Sequence, residues 1–322
     1  MPVAVALVVT LAVVPSGCTR DQATVLRLGH GLGVDHPVHQ AMEHLGERLD
    51  ALSGGSMSLQ IYPSEQLGSE RECLELLQIG SLAMTKVSAA VLESFASDYR
   101  VLGAPYLFRD RDHAFAVLDG EIGRQLLLSS EPQRLRGLGF YDAGSRSFYT
   151  RDRPIETPDD LVGLKIRTQE SATAMSMVRA LGGAATPISW GELYTALQQG
   201  VVDGAENNPP SFHLSRHYEV SQFYSLDEHT TIPDVLIVST LVWDRLDDQQ
   251  RAWLQAAAQD SVAIQRQLWK DAEDAALAAV QEAGVQVIRP NKAPFRALAT
   301  TPHEDARLAE LAAAIQAVGA GS

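Results

Sequence analysis

Alternating and 3.6-residue spacings of apolar positions divide the chain into short strands and capped helices. Val25–Gly29 alternates as a strand. His39–Leu52 then places Met42, Leu45, Leu49 and Leu52 at helical intervals and closes on Ser53-Gly54-Gly55. Ser58–Tyr62 reads as a second strand. Ser69 with Glu72 three positions later forms a capping box, opening a helix that Gly80 ends. One helix is predicted between Asp112 and Leu128, and a strand over Gly137–Tyr141. Thr157-Pro158-Asp159-Asp160 starts a helix, with proline in the first turn and two acids against the positive end of the dipole. A Lys165–Thr168 strand and a Ser171–Leu181 helix follow. Ser189 and Glu192 form a second capping box whose helix ends at Gly200, next to a brief strand at Val201–Asp203. Ile232–Ser239 is a further strand. Asp247–Ala283 is helical for roughly ten turns, long enough to bend or to bridge two lobes.

Repeated strand–helix alternation predicts an α/β fold with mostly parallel sheets. In such sheets ligands collect beyond the carboxyl ends of strands. Arg146, Arg167 and Asn207 each follow a strand-like segment, so they are expected to converge on one cleft. A length of 322 residues suits two lobes better than one core. The net charge of −14 argues against nucleic acid and requires any anion site to be built locally, from one or two arginines.

The N-terminal run Val3–Val14 is apolar apart from Thr10, too short to span a bilayer and of the length of a signal-peptide core. Pro15-Ser16-Gly17-Cys18 resembles a bacterial lipobox, with small residues before a cysteine that would be lipidated. Pro15 departs from that pattern, as does the lack of Lys or Arg before the apolar run; Cys18 as an ordinary buried cysteine is the alternative. Cys73 is the only other cysteine, so no internal disulfide is expected.

Arg is the side chain best shaped to grip a carboxylate, because its planar fork donates two parallel hydrogen bonds. Asn supplies the donor and acceptor that a hydroxylated ligand needs beside it. Arg167 stands between apolar neighbours at a strand end, where a cleft contact competes with a structural ion pair. Arg146 either reaches the cleft, ties Asp142 or supports the hinge. Of Asn207 and Asn208, one is expected to cap the turn before Pro209 while the other faces the ligand. Glu70 either complements a helix dipole or accepts from a sugar hydroxyl. Trp190 offers an aromatic face on which a sugar ring packs. His36, before Pro37, is placed as a polar contact at the cleft rim. His30, His36, His39 and His44 crowd one segment, but no i, i+4 pair comes with a supporting carboxylate, and no metal is assigned. Gly29-His30-Gly31-Leu32-Gly33 lacks the dinucleotide-loop spacing, so no cofactor is assigned either. An exported sugar-acid hydrolase would need a nucleophile–base pair or two aligned carboxylates, and neither is found.

Several motifs in order carry a family resemblance. They are Tyr62-Pro63-Ser64-Glu65-Gln66-Leu67-Gly68, Pro105-Tyr106-Leu107-Phe108, Gly144-Ser145-Arg146, Pro158-Asp159-Asp160-Leu161, Gly163–Arg167, and the run from Glu192 to Gly204. With them, from about Val25 to Phe295, the chain resembles the DctP-like extracytoplasmic solute receptors of tripartite ATP-independent periplasmic (TRAP) transporters. That resemblance implies a two-lobed periplasmic binding protein fold with a hinge and a long lobe-spanning helix. It implies a small organic-acid ligand held between the lobes and delivered to TRAP membrane permease subunits. Arg167 matches the carboxylate-gripping arginine, Arg146 a second arginine near the ligand, and Asn207 a ligand-contacting asparagine. The doubled Asn207-Asn208 before Pro209-Pro210 looks like the subgroup associated with glucuronate and galacturonate; C4-dicarboxylates and keto acids are the alternatives. Ala83 stands where many relatives carry Asp, and no ligand role is assigned there. The implied layout is residues 1–17 as signal peptide and 18–24 as lipidated linker. Residues 24–145 with 233–271 form lobe I, and 146–232 with 272–320 form lobe II. The protein would be periplasmic, touching the membrane only through lipidated Cys18.

Overall fold

Two mixed sheets carry the fold in the computed structural model, which describes residues 23–299 and 305–319. The expected signal peptide and Cys18 lie outside the described residues. The first sheet contains β1 (Thr24–Gly29), β2 (Met57–Tyr62), β3 (Met84–Ser88), β4 (Leu135–Tyr141) and β10 (Asp234–Ser239), in the order β2-β1-β3-β10-β4. The second contains β5 (Arg146–Thr150), β6 (Lys165–Thr168), β7 (Ala184–Pro187), β8 (Gly204–Asn207), β9 (Phe223–Thr230) and β11 (Gln286–Ile288), in the order β11-β9-β5-β8-β6-β7. Each sheet is the floor of one lobe.

Among the described residues, five of the nine strand pairings are parallel, as expected, but one strand in each sheet runs against its neighbours. β10 runs antiparallel to both β3 and β4, and β5 runs antiparallel to both β8 and β9. Both reversals follow from chain crossings: β5 is the first strand after the chain leaves the first sheet, and β10 is the strand on which it returns. β10 is buried on both faces, which is why it reads as a continuous apolar run. Val235 and Ile237 enter one core cluster while Leu236 and Val238 enter the cluster on the other face.

Several local expectations also change. The helix predicted over Asp112–Leu128 is two, Arg111–Leu118 and Glu121–Ser129. The chain turns there so tightly that a Cβ at Gly123 would lie 1.9 Å from the Leu118 carbonyl oxygen. Pro158–Leu161 is only a 3-10 turn, although Thr157 and Asp160 do form a capping box. The Ser189–Glu192 capping box does not form. Ser189 Oγ donates to Glu192 Oε2 at 2.7 Å, and the helix begins at Leu193 without a side-chain cap. Val201–Asp203 is not a strand; β8 starts at Gly204.

The Asp248–Glu282 helix has 35 residues, about 50 Å at 1.5 Å per residue. It opens on Asp247, which forms a capping box with Gln250. It packs on the Pro37–Ser53 helix and β4 of the first lobe, and on the Pro209–Leu214 helix of the second. One continuous helix is thus shared by the two lobes. The first crossing passes over it at Gly144, where φ is +57° and a Cβ would come within 2.7 Å of Glu273 Oε1 and 3.0 Å of Trp269 Nε1. Only glycine suits that conformation and that gap. The Ala306–Ala317 helix, grouped with lobe II in the sequence reading, instead buries Leu308, Ala312 and Ile315 in a cluster of the first lobe.

Candidate functional site

The strand order β5-β8-β6 brings three polar positions together between the lobes. Arg146 opens β5, Asn207 ends β8, and Arg167 is the third residue of β6, in register with Ala205. Side chains two apart on a strand share a face, so Arg167 and Asn207 emerge on the same side of the sheet. The first lobe supplies the opposite wall through the β1–Pro37 loop, the β2–Glu70 turn and the end of β3. A cavity between the walls is lined by all seven residues singled out above: His36, Glu70, Arg146, Arg167, Trp190, Asn207 and Asn208.

Their hydrogen bonds distinguish them. Arg146 is buried, and its Nε and Nη2 grip the carboxylate of Glu206, which is also buried. Nη2 donates as well to the Glu206 carbonyl at 2.8 Å, and Nη1 donates to Asn207 Oδ1 at 2.8 Å. Arg146 therefore ties Glu206 rather than Asp142, and one Nη1 hydrogen of its five N–H groups is left over. Asn207 Oδ1 accepts from Arg146 and from the Asn208 N–H, and Tyr224 Oη fixes its carbonyl at 2.8 Å. That leaves the Asn207 Nδ2 group without a partner among the described residues. Asn208 caps the Pro209–Leu214 helix, its Oδ1 accepting from Ser211 N at 2.9 Å.

Arg167 is different. It is as buried as Arg146, yet no carboxylate meets it. Nε donates to the Ile188 carbonyl at 2.8 Å, while Nη1 is sealed from solvent and bonded to nothing. The guanidinium lies 5.8 Å from the Trp190 ring centroid. Burial, with Arg146 adding to it, pulls the Arg167 pKa below its ordinary value, but an arginine stays charged. A buried cation with an orphaned donor is costly unless something anionic completes it.

On the opposite wall, Glu70 Oε1 accepts from Lys86 Nζ at 3.0 Å, and both carboxylate oxygens approach the Ser88 N–H at 3.3 Å. Lys86 also meets Asp234 Oδ2 at 3.1 Å. Burial works against the ammonium, but Asp234 and Glu70 prevail and raise its pKa; Asp234, buried and sharing that cation with Glu70, is raised too. Glu70 is therefore more than a dipole partner. His36 caps the Pro37–Ser53 helix through Nδ1, and its Nε2 lies 3.3 Å from Ser211 Oγ of the other lobe. Accepting at Nδ1 puts the proton of the neutral ring on Nε2. Burial, with Lys86 and His39, pushes its pKa down to about 3, so the ring is neutral. His30 and His39 bond each other at 3.0 Å, and among the described residues no group of three or more His, Cys, Asp or Glu is placed to hold a metal ion.

Among the described residues, every cation of the cavity wall but one has a carboxylate partner. Arg146 is answered by Glu206, and Lys86 by Glu70 and Asp234. Arg167 meets no carboxylate among the described residues. Lys86, Asp234 and Ser211 were not singled out from the sequence, and Glu65 and Glu206 entered only as parts of motifs. Lys86 is a lone cation in a strand buried throughout, Met84–Ser88.

The model of the DctP family, the bacterial extracellular solute-binding proteins of family 7, matches residues 28–307. The chain belongs to that family. This DctP-family receptor is 41% identical to a TRAP periplasmic solute-binding protein from Bradyrhizobium sp. BTAi1, solved in complex with α/β-D-galacturonate. Their TM-score is 0.88, with 90% of this chain and 99% of that one covered. It is 35% identical to a Roseobacter denitrificans counterpart solved with bound β-D-glucuronate, at a TM-score of 0.88 over 91% and 99% of the two chains. It is also 30% identical over 286 residues to the C4-dicarboxylate-binding periplasmic protein DctP of Rhodobacter capsulatus, covering 87% of this chain and 86% of that protein. The receptor is accordingly a two-lobed periplasmic solute-binding protein, not an enzyme, of a family that binds small organic acids and works with TRAP permeases. Among the described residues no helix is long and apolar enough to cross a membrane.

Proposed function

We propose that this receptor captures a hexuronate, glucuronate or galacturonate, and hands it to a TRAP permease. The observation that carries the reading is the single unanswered cation, Arg167, in a wall whose other cations, among the described residues, each meet a carboxylate. A monocarboxylate completes that wall, whereas a C4-dicarboxylate would need a second free cation. The hexuronates held by the Bradyrhizobium and Roseobacter proteins support the same choice. Arg167 takes the carboxylate through its two terminal nitrogens. The Asn207 and Asn208 amides, the spare N–H of Arg146, the Glu70 carboxylate and His36 meet hydroxyls, and the sugar ring lies on Trp190. The crossings at 142–145 and 231–233 serve as hinges, and a ligand that touches both walls favours the shut form. Cys18 carries the lipid that keeps the receptor at the membrane.

A thermal-shift panel of hexuronates, aldonates, C4-dicarboxylates and keto acids tests this, with zinc and EDTA controls. A ligand at a hundred times its Kd stabilises the folded state by about 2.7 kcal/mol, a shift of several degrees. Selective stabilisation by a hexuronate is expected; a response to dicarboxylates or keto acids alone overturns the ligand. Asn207→Ala adds a second readout. It removes an amide donor and releases Arg146 Nη1, so glucuronate should weaken about tenfold, the worth of one hydrogen bond. Succinate, which has no hydroxyls, should weaken less. Equal losses by calorimetry would count against a sugar-acid site.

A further inference from the structure

Glu65 stands in the turn after β2, and its conformation is one that side chains rarely adopt. Ser64 and Glu65 have φ of 54° and 57°, left-handed values without glycine. The turn is held there by Ser64 N–H on the Leu32 carbonyl at 3.0 Å and Glu65 N–H on the His30 carbonyl at 3.1 Å. Strain of this kind persists where the surroundings impose it and collects at functional sites.

What the strain achieves is placement. The half-buried Glu65 side chain reaches into the cavity with its carboxylate between Gly31 of its own lobe and Gly191 of the other. A Cβ on Gly31 would lie 3.4 Å from Oε1; one on Gly191 would lie 2.2 Å from Oε2, so only glycine admits the carboxylate there. Oε1 is sealed from solvent and has no hydrogen-bond partner. A carboxylate oxygen left in that state is costly, and native structures give it a donor. Burial raises the Glu65 pKa, with the Gly191 N–H and Arg167 among the influences that oppose it.

We propose that Glu65 is a further ligand-contacting and specificity-determining residue, accepting a hydroxyl of the bound acid at Oε1 while Oε2 meets Gly191 across the cleft. The cleft then shuts fully on a hydroxylated monocarboxylate, and the negative charge of Glu65 repels a second carboxylate. A neutral hydroxyl suits the position better than an ammonium, which would share the cavity with the unanswered Arg167 guanidinium. This role rests on the hexuronate reading and adds a residue and a rejection mechanism to it.

Calorimetric titration of the parent and of Glu65→Gln with D-glucuronate and with succinate tests it. In the parent, glucuronate should bind at least a hundredfold more tightly than succinate. Glu65→Gln keeps the shape but removes the charge; glucuronate should weaken tenfold or more while succinate holds or tightens, so discrimination narrows at least tenfold. Gly191→Ala, whose methyl would displace Oε2, should narrow it in the same direction if Glu65→Gln does not fold. Unchanged affinities, or equal losses for both ligands, would overturn the proposal and leave the hexuronate reading standing. A parent that binds no hexuronate would overturn both.

Discussion

Replacing Arg167 by methionine should abolish hexuronate binding while leaving the unliganded receptor as stable as the parent, or more so. The two effects separate because Arg167, unlike Arg146 and Lys86, has no carboxylate partner among the described residues. Among the described residues its one side-chain hydrogen bond is from Nε to the Ile188 carbonyl, and Nη1 has none. Methionine has similar length, fills the space beside Trp190 and needs no partner, so the cost of desolvating an unpaired cation disappears. In the complex the ligand carboxylate would lose its only counter-charge. Truncating one partner of a buried pair costs about 3–5 kcal/mol, a loss of at least a hundredfold in Kd. Arg167→Lys should recover part of the affinity, since an ammonium restores the charge but not the two-pronged geometry. Titration calorimetry reads the first effect and a urea melt without ligand the second. Retained affinity would sink the clamp, and a large loss of unliganded stability would make Arg167 a structural cation.

Much of this site was legible because its determinants are local. A capping box declares itself within four residues, and Ser69 with Glu72 forms as expected, placing Glu70 at the mouth of the cavity. Asn208 before two prolines and Ser211 is legible as a helix cap for the same reason. The division of labour between the arginines was not legible. Glu206 adjoins Asn207 in the chain, but it reaches Arg146 only once β5 and β8 pair antiparallel with Phe148 opposite Glu206. Strand direction is a property of the crossings, not of the strand's own residues, which is also why β10 passes for a parallel strand. Glu65 was hidden differently: nothing in Pro63-Ser64-Glu65-Gln66 signals two left-handed residues, because that conformation is imposed by carbonyls of the β1 loop more than thirty residues earlier.

Behind the cavity, the ionic network predicts a second large effect, on stability rather than affinity. His229 on β9 is fully buried, with Nδ1 2.8 Å from Asp227 Oδ2 and Nε2 3.5 Å from Glu206 Oε2. The longer contact is an ion pair rather than a full hydrogen bond. Burial alone would depress the imidazole, but the two carboxylates outweigh it and hold the pKa up at about 9, against an ordinary 6.5. Burial would likewise raise Glu206, yet Arg146 and His229 hold it at about 2. Two acids and two cations thus balance without solvent. A raised histidine contributes stability that is complete below about 6.5 and is lost as pH climbs through about 9, a span worth on the order of 3 kcal/mol. Glu206 has the opposite sign: its contribution is present above about 4.5 and is lost as pH falls towards about 2. Urea midpoints should therefore be highest between about pH 4.5 and 6.5 and fall on the alkaline side. His229→Gln preserves volume but, among the described residues, leaves Asp227 with no cation and Glu206 with Arg146 alone. It should cost about 3–5 kcal/mol at pH 6 and flatten the alkaline fall, because the group that titrates is gone. A variant with the parent's slope between pH 6 and 9 would place that titration elsewhere. Arg146 keeps Glu206 in the variant, so glucuronate should weaken far less in His229→Gln than in Arg167→Met. That contrast separates the network that holds the wall from the cation that meets the ligand.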